Sequence, residues 1–188
     1  MQPVVLASQS QRRRQLLEWA EVPFEVIVEH TDESYPEELA ILEIPVFIAR
    51  NKAAAVQHKV QDKIIIAADT VVVLNNEVIG KPQSREHAID ILQNLAGKKH
   101  LVITGVVIKN NKEEIAFADI TEVTFYDLST EQITFYVDKY KPYDKAGAYA
   151  IQEWIGVVGI KTINGDFYNV MGLPVSRVMQ ALESLNGD

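Results

Sequence analysis

The stretch Ile64-Ile65-Ile66-Ala67-Ala68-Asp69-Thr70-Val71-Val72-Val73-Leu74 decides the fold class. Its first five residues are apolar without interruption, which is typical of a strand that is buried on both faces. We expect this strand to end at Asp69-Thr70. Residues 71–74 then predict a strand that turns at Asn75-Asn76 into residues 78–79, because paired asparagines favour tight hairpin turns.

On the amino-terminal side of this stretch, the spacing of apolar residues predicts strands that alternate with helices. Pro45 is typical of a first helical turn. The predicted elements are a strand at residues 4–7, a helix at 12–18, a strand at 24–28, a loop at 30–38 and a helix from 45 to about 60.

On the carboxyl-terminal side, Ser84 is a candidate helix cap and Ser129 with Gln132 a candidate capping box. Gly97 is a candidate helix terminator. The predicted elements are a helix from 85 with Ala88, Ile91, Leu92 and Leu95 inside, strands at 101–108 and 115–125 around a turn at Asn110-Asn111, a helix to 138, a loop at 140–147, a strand at 157–163, and a helix from Leu173-Pro174 to about 185, before Gly187.

Strands and helices mixed in this way predict an α/β domain around a mixed sheet. The 188 residues contain no low-complexity segment or linker, so we expect one domain over residues 1–188.

The composition excludes several classes of function. Without cysteine the chain has no thiol nucleophile, zinc knuckle or disulfide. A net charge of −8 argues against broad contact with nucleic acid or an anionic membrane. Because residues 1–5 do not resemble a signal peptide and no apolar run approaches ~18 residues, we expect a soluble, cytoplasmic protein.

A cluster of cations follows the first predicted strand, in Ser8-Gln9-Ser10-Gln11-Arg12-Arg13-Arg14. Cations in the first turn of a helix oppose the helix dipole, so three in a row need a reason. One reason is an anion, because a helix N-terminus, serine hydroxyls and arginine forks all suit phosphate oxygens. The alternative is that these arginines pair with acids on a solvated surface.

Other charged residues complete the inventory of a metal-assisted phosphate site. Asp69 suits a general base or a magnesium ligand, although an Asp that caps the next turn is an alternative. One interpretation is that function places the ammonium group of Lys52 in a cleft; the alternative is that the Lys52 stem only covers an apolar stripe while the charge stays in water. Lys81 follows the hairpin in Gly80-Lys81-Pro82, and Asp32-Glu33 lies in the predicted loop.

Motifs of other chemistries are absent. The sequence has no G-x-G-x-x-G, G-x-x-x-x-G-K-[ST], H-E-x-x-H or G-x-S-x-G motif. The four histidines lack ligand spacing, so we expect them to be structural or surface residues.

Blocks along nearly the whole chain resemble the Maf family of nucleoside triphosphate pyrophosphatases. Arg12 together with Tyr168-Asn169-Val170 resembles the branch acting on dTTP and UTP. The branch acting on 7-methyl-GTP usually has an aromatic residue at the position of Arg12. One departure is Gln11, where the family commonly has proline. The blocks are LASxSxRRxxLL at 6–17, DE at 32–33, KA at 52–53, ADTVV at 68–72, GKP at 80–82, DKAGAYAIQ at 144–152 and NVxGLP at 169–174.

The resemblance implies an elongated α/β fold with a mixed central sheet, flanking helices and a central cleft, similar to the inosine triphosphate pyrophosphatases. It implies cleavage between the α and β phosphates, with Mg²⁺ or Mn²⁺, and a homodimer. The implied roles are catalytic base for Asp69, phosphate and metal site for Arg13, Glu33, Lys52 and Lys81, metal ligands for Asp69 and Glu33, substrate binding for Ser8 and Ser10, and specificity for Arg12, Thr70 and Gln152.

Two other function classes remain open at this point. A nucleotide sensor linked to septum formation would use the same cations but would not need Asp69 near a water. A DNA-binding module would have only the Arg12–Arg14 patch with which to contact phosphates.

Overall fold

The computed structural model describes residues 3–60 and 62–185. The predicted helix stop at Gly187 lies outside these residues. Within them the chain forms strands β1 Val4–Leu6, β2 Phe24–Val26, β3 Ile65–Leu74, β4 Glu77–Ile79, β5 Lys99–Lys109, β6 Glu114–Phe125 and β7 Ile160–Asn164.

Helices of six to fourteen residues, and one of five, connect these strands. They are α1 Gln11–Trp19, α2 Ile44–Gln57, α3 Arg85–Leu95, α4 Thr130–Tyr140, α5 Trp154–Gly159, α6 Phe167–Met171 and α7 Val175–Leu185, with a 3₁₀ turn at Ala146–Ala148.

The strands form one mixed sheet in the order β2-β1-β3-β5-β6-β7, with β4 paired to β3. β1 runs parallel to both β2 and β3, and Leu6 pairs with Val26 on one side and with Ile66 on the other. The pairs β3–β4 and β6–β7 are antiparallel. The predicted α/β class with a mixed sheet and flanking helices is confirmed.

The chain divides into two compact units that interleave along the sequence. The first comprises Met1–Thr70, Thr104–Asp119 and Gly172–Asp188, and the second comprises Val71–Ile103 and Ile120–Met171. β3, β5 and β6 each begin in one unit and end in the other. That residues 1–188 make a single domain stays a prediction.

Each unit has a core built by the predicted helix faces. In the first unit the alanine-rich face of α2, including Ala49, Ala53 and Val56, packs with Val5 and Ile65 of the strands. In the second unit α3 and α4 contact each other. α3 buries its predicted inner face, Ala88, Ile91, Leu92 and Leu95, and α4 buries Ile133, Tyr136 and Val137.

Local signals placed the helix starts correctly. Ser84 caps α3 by accepting the His87 backbone N–H at 3.1 Å. Ser129 and Gln132 form the predicted capping box of α4, with each side chain bonded to the other residue's backbone N–H. The turn at Asn75-Asn76 has positive φ at both residues, as a tight hairpin requires.

Two predictions of local structure were wrong, and one short helix was missed. Asp69 does not end a strand, because β3 continues from Ile65 through Leu74 and residues 71–74 are buried as well. The predicted strand at 157–163 begins only at Ile160, because residues 154–159 form α5. The short helix α6 was not predicted.

Among the described residues, no helix is long and apolar enough to span a membrane.

A buried histidine lies in the second unit. The His100 ring is 1% exposed, meets Phe125 and Tyr149 edge to face, and its Nε2 lies 2.7 Å from the Tyr149 hydroxyl. Burial lowers the pKa of His100 to about 4 and raises the pKa of Tyr149. Both side chains are therefore neutral at physiological pH.

This histidine predicts an acid-sensitive stability. Above pH 6.5 the histidine is neutral in both states. As the pH falls from 6.5 toward 4, only the unfolded state gains its proton, so the free energy of unfolding should fall by roughly 3 kcal/mol. Urea unfolding at pH 7 and at pH 4.5 measures this slope. His100→Gln should remove most of this loss of stability between pH 7 and pH 4.5, whereas His87→Gln, at an exposed position, should leave the loss as it is in the wild type. A loss of the same size in His100→Gln would show that His100 is not its source.

Candidate active site

Three of the predicted substrate-binding residues, Ser8, Ser10 and Arg13, meet at the start of α1. Ser10 caps this helix, and its Oγ accepts the Arg13 backbone N–H at 3.4 Å. The Arg13 side chain turns inward and is 8% exposed. Its Nε donates to the Gly172 carbonyl at 2.7 Å, one terminal nitrogen donates to Ser8 Oγ at 3.1 Å, and the other donates to Thr70 Oγ1 at 3.0 Å.

Arg13 is thus a structural centre as well as a cation. Burial lowers its pKa to about 10, partly offset by the nearby charge of Asp69, and it stays protonated at neutral pH. A guanidinium carries five N–H donors, and each terminal nitrogen of Arg13 has a second N–H that these three bonds do not use. Those donors suit phosphate oxygens.

The acceptors of Arg13 are themselves held in place. Gly172 has a φ of 121°, a conformation that residues with a side chain rarely adopt, and this places its carbonyl on Arg13. Thr70 Oγ1 lies 2.9 Å from Thr104 Oγ1, and Thr104 is fully buried on β5. Gly172 lies in the NVxGLP block, but no local pattern pairs it with Arg13 and none marks Thr104, because both contacts join residues far apart in the chain.

The neighbouring arginines differ from Arg13. Arg12 is half-buried, and the structure also gives it polar or charged interactions. Arg14 is half-buried too, and its Nε has no hydrogen-bond partner among the described residues. The three consecutive arginines therefore do not form one exposed patch, because Arg13 is buried.

Lys52, Asp69 and Glu33 form an ion-pair cluster. Lys52 Nζ lies 2.7 Å from Asp69 Oδ1 and 2.8 Å from Glu33 Oε1. The Lys52 and Asp69 side chains are 16% and 14% exposed, whereas Glu33 is 46% exposed. Lys52 lies on α2, Asp69 lies within β3 and Glu33 lies in the predicted loop, so the cluster joins three separate segments. That Lys52 reaches a cleft stays a prediction.

The loop that carries Glu33 is shaped by its neighbour Asp32. Asp32 accepts both the Ser34 hydroxyl at 2.7 Å and the Ser34 backbone N–H at 2.9 Å. These hydrogen bonds hold the pKa of Asp32 below its usual value. Asp32 therefore shapes the turn, while Glu33 reaches Lys52.

The predicted metal ligands Asp69 and Glu33 fit a hard cation that also takes oxygens from a substrate. Both carboxylates converge on the same Lys52 nitrogen. Among the described residues, no group of three or more histidine or acidic side chains could hold a metal by itself. Mg²⁺ is commonly bound by one or two carboxylates plus substrate phosphates, and these two carboxylates match that pattern.

The remaining predicted residues, Lys81 and Gln152, belong to the second unit. Lys81 is exposed after β4, and the Gly147 N–H donates to the carbonyl of its neighbour Gly80 at 3.2 Å. Gln152 is exposed between buried Ile151 and half-buried Glu153. The 80–82 segment and the 144–152 segment, two blocks of the resemblance, are therefore joined by a hydrogen bond.

The chain matches the family model described as "Maf-like protein" over residues 3–185. A protein of Cytophaga hutchinsonii named dTTP/UTP pyrophosphatase is 50% identical over 182 residues, which cover 97% of this chain and 84% of that protein. Proteins of the same name from Parabacteroides distasonis and Bacteroides thetaiotaomicron are 48% and 46% identical, each over at least 94% of either chain.

A solved structure shares the fold. The Staphylococcus aureus Ham1 protein superposes with a TM-score of 0.54 at 20% identity, covering 98% of this chain and all of that one. The family match over nearly the full length and the relatives at 46–50% identity show that the chain belongs to the family of Maf-like proteins.

Proposed function

We propose that this protein hydrolyses dTTP and UTP to the nucleoside monophosphate and pyrophosphate. The observation that carries the proposal is the Lys52–Asp69–Glu33 cluster within reach of the charge of buried Arg13, in a chain whose relatives are named dTTP/UTP pyrophosphatase. A nucleotide sensor would need the cations, but it would not need a carboxylate held on a rigid strand.

Asp69 is the proposed general base. Its carboxylate takes a proton from water, the water oxygen forms a bond to one phosphorus of the α–β linkage, and the bond from that phosphorus to the bridging oxygen breaks, which releases the nucleoside monophosphate and pyrophosphate. Lys52 holds the Asp69 carboxylate in one orientation by the 2.7 Å contact. Because β3 is buried on both sides of Asp69, the base is fixed by a rigid element.

A divalent cation, Mg²⁺ or Mn²⁺, held by Asp69 and Glu33 would add positive charge against the phosphate oxygens. The chain itself provides further cations. Lys52, Lys81, Arg12 and Arg13 are the proposed phosphate-binding side chains, and fixed cations stabilise the charge that grows on the leaving pyrophosphate. Ser8 and Ser10 contribute by holding Arg13 and the start of α1.

Gln152 is the proposed reader of the base, with Arg12 and Thr70 as further specificity residues. A primary amide offers a donor and an acceptor, and uracil and thymine present an O4 acceptor beside an N3–H donor. Cytosine presents the reverse pattern. A site built on such polar pairing rejects ligands that leave its groups unpaired.

Gln152→Ala should lower kcat/KM for dTTP, and the ratio of kcat/KM for dTTP over CTP should fall by about tenfold or more. Initial rates of pyrophosphate release with both nucleotides measure the ratio. Gln93→Ala, at an exposed position on α3 of the same unit, is the matched control and should change neither value. A variant that kept the full dTTP preference would remove Gln152 from base recognition.

A panel of nucleoside triphosphates tests the proposed function directly. With Mg²⁺ or Mn²⁺ present, we expect pyrophosphate release from dTTP and UTP, with CTP and purine triphosphates cut poorly. Tight dTTP binding without any pyrophosphate release would overturn the proposal in favour of a nucleotide sensor.

The family resemblance also supports a homodimer that acts in the cytoplasm. Light scattering of the purified protein on a sizing column measures its mass in solution, against 21.1 kDa for one chain. A single species at the mass of one chain would contradict the dimer.

A further inference from the structure

The Tyr136 hydroxyl makes hydrogen bonds on both sides of Gln152. Tyr136 is fully buried on α4. Its oxygen accepts the Ala150 backbone N–H at 3.1 Å, and its O–H donates to Glu153 Oε2 in a short hydrogen bond. One phenol oxygen therefore holds the residue two positions before Gln152 and the residue immediately after it.

Glu153 does not cap the helix that it precedes. It is the N-cap residue of α5, where a short polar side chain normally accepts a helix N–H. The Glu153 side chain makes no such bond. Its carboxylate instead accepts from Tyr136 and lies 3.7 Å from Nζ of buried Lys145. These two contacts direct the Glu153 carboxylate away from α5 and tie it to α4 and to Lys145, which fixes the turn at residues 150–153.

The backbone next to Gln152 is fixed from a third direction. A Cβ on Gly156 would lie 1.7 Å from the Ile151 carbonyl oxygen, so α5 packs directly on the backbone that precedes Gln152. The Glu153 N–H also donates to the Ala150 carbonyl at 3.1 Å, which closes the turn. Gln152 is thus an exposed side chain on an immobilised turn.

We infer that Tyr136 and Glu153 are positioning residues for base selection, acting through Gln152. This inference rests on the proposed function. The pairing of a primary amide with a base depends on the distance and angle at which the amide is presented, and a fixed backbone sets both, so discrimination depends on how firmly the backbone of Gln152 is held. Tyr136 and Glu153 provide that hold without touching the nucleotide themselves.

Tyr136→Phe removes the hydroxyl and keeps the ring in the core. We expect the ratio of kcat/KM for dTTP over CTP to fall by about tenfold, because a small displacement of a positioned group costs about one to two powers of ten. The rate with CTP should change little. A role in stability alone would lower both rates together and would overturn the inference.

A matched control is Ser129→Ala, which removes the hydroxyl that caps α4, the helix that carries Tyr136, and so weakens the same unit away from the turn of Gln152. It should lower the melting temperature by a similar amount and leave the dTTP/CTP ratio unchanged. Glu153→Gln keeps an acceptor for Tyr136 and should keep most of the ratio, whereas Glu153→Ala should lose it as Tyr136→Phe does.

The double variant Tyr136→Phe with Gln152→Ala separates the two hypotheses. If Tyr136 acts through Gln152, adding Tyr136→Phe to Gln152→Ala should not lower the ratio of kcat/KM for dTTP over CTP below its value in Gln152→Ala alone. An additive loss would overturn the inference. If the wild-type protein showed no preference for dTTP, the proposed function itself would fail. A wild-type preference that Gln152→Ala narrows and Tyr136→Phe leaves intact would refute only the positioning role.

Discussion

Asp69→Asn should lower kcat for dTTP by about 10² to 10⁴-fold, the usual cost of removing a general base. The substitution keeps the size of the side chain, and an amide oxygen can still accept from Lys52 at the position of Oδ1. The shape of the cluster should therefore survive, and what is lost is the ability to take a proton.

Three measurements check this expectation. Steady-state kinetics give kcat, equilibrium titration with dTTP gives the dissociation constant, and thermal unfolding reports on the fold. We expect a large loss of kcat with nucleotide binding retained. Asp90→Asn, at an exposed position on α3, provides the same chemical change away from the cluster and should leave kcat unaltered. A kcat near that of the wild type in Asp69→Asn would exclude Asp69 as the base.

Lys52→Ala should give a loss of comparable size, about 10² to 10³-fold in kcat/KM. Lys52 Nζ is shared by Asp69 and Glu33, so its removal takes away a cation and leaves two carboxylates facing each other. Lys81→Ala should also weaken catalysis strongly, because Lys81 is a proposed phosphate ligand.

Two variants show whether the Lys52 effect is local. Lys63→Ala removes the same charge from the same unit, where Lys63 pairs with Glu25 on the surface, and should cost almost no activity. Arg14→Ala should matter less than either lysine of the site, since Arg14 stands at a position where the family block specifies no residue. Equal losses in all of these variants would instead indicate a general effect of surface charge.

Local patterns predicted most of the fold because each depends on neighbouring residues. Ser84 and Ser129 cap their helices as predicted, and the apolar run at 64–68 forms a buried strand. The apolar residues of α5 were taken for a strand because a short apolar run has no period that separates helix from strand. The length of β3 was underestimated because Asp69-Thr70 resembles a turn in sequence.

The candidate site was predicted as a set of residue types, and the structure adds which of them meet. The sequence favoured phosphate contact for Arg13 but contained no sign that Gly172, Ser8 and Thr70 would accept its hydrogen bonds. Nor did it show that Tyr136 holds the turn around Gln152, because Tyr136 belongs to none of the motifs that the sequence contains. Such contacts join distant positions, and no local pattern encodes them.

The bond between Arg13 and Gly172 also has a consequence for protein synthesis. The donor and acceptor are 159 residues apart, so Arg13 leaves the ribosome long before its acceptor has been translated. Burying a guanidinium without that acceptor would be costly. We therefore expect the nascent chain to keep the Arg13 side chain in water until Gly172 has left the ribosome. A chain that ends before Gly172 should then be unable to bury Arg13 and should have no hydrolase activity.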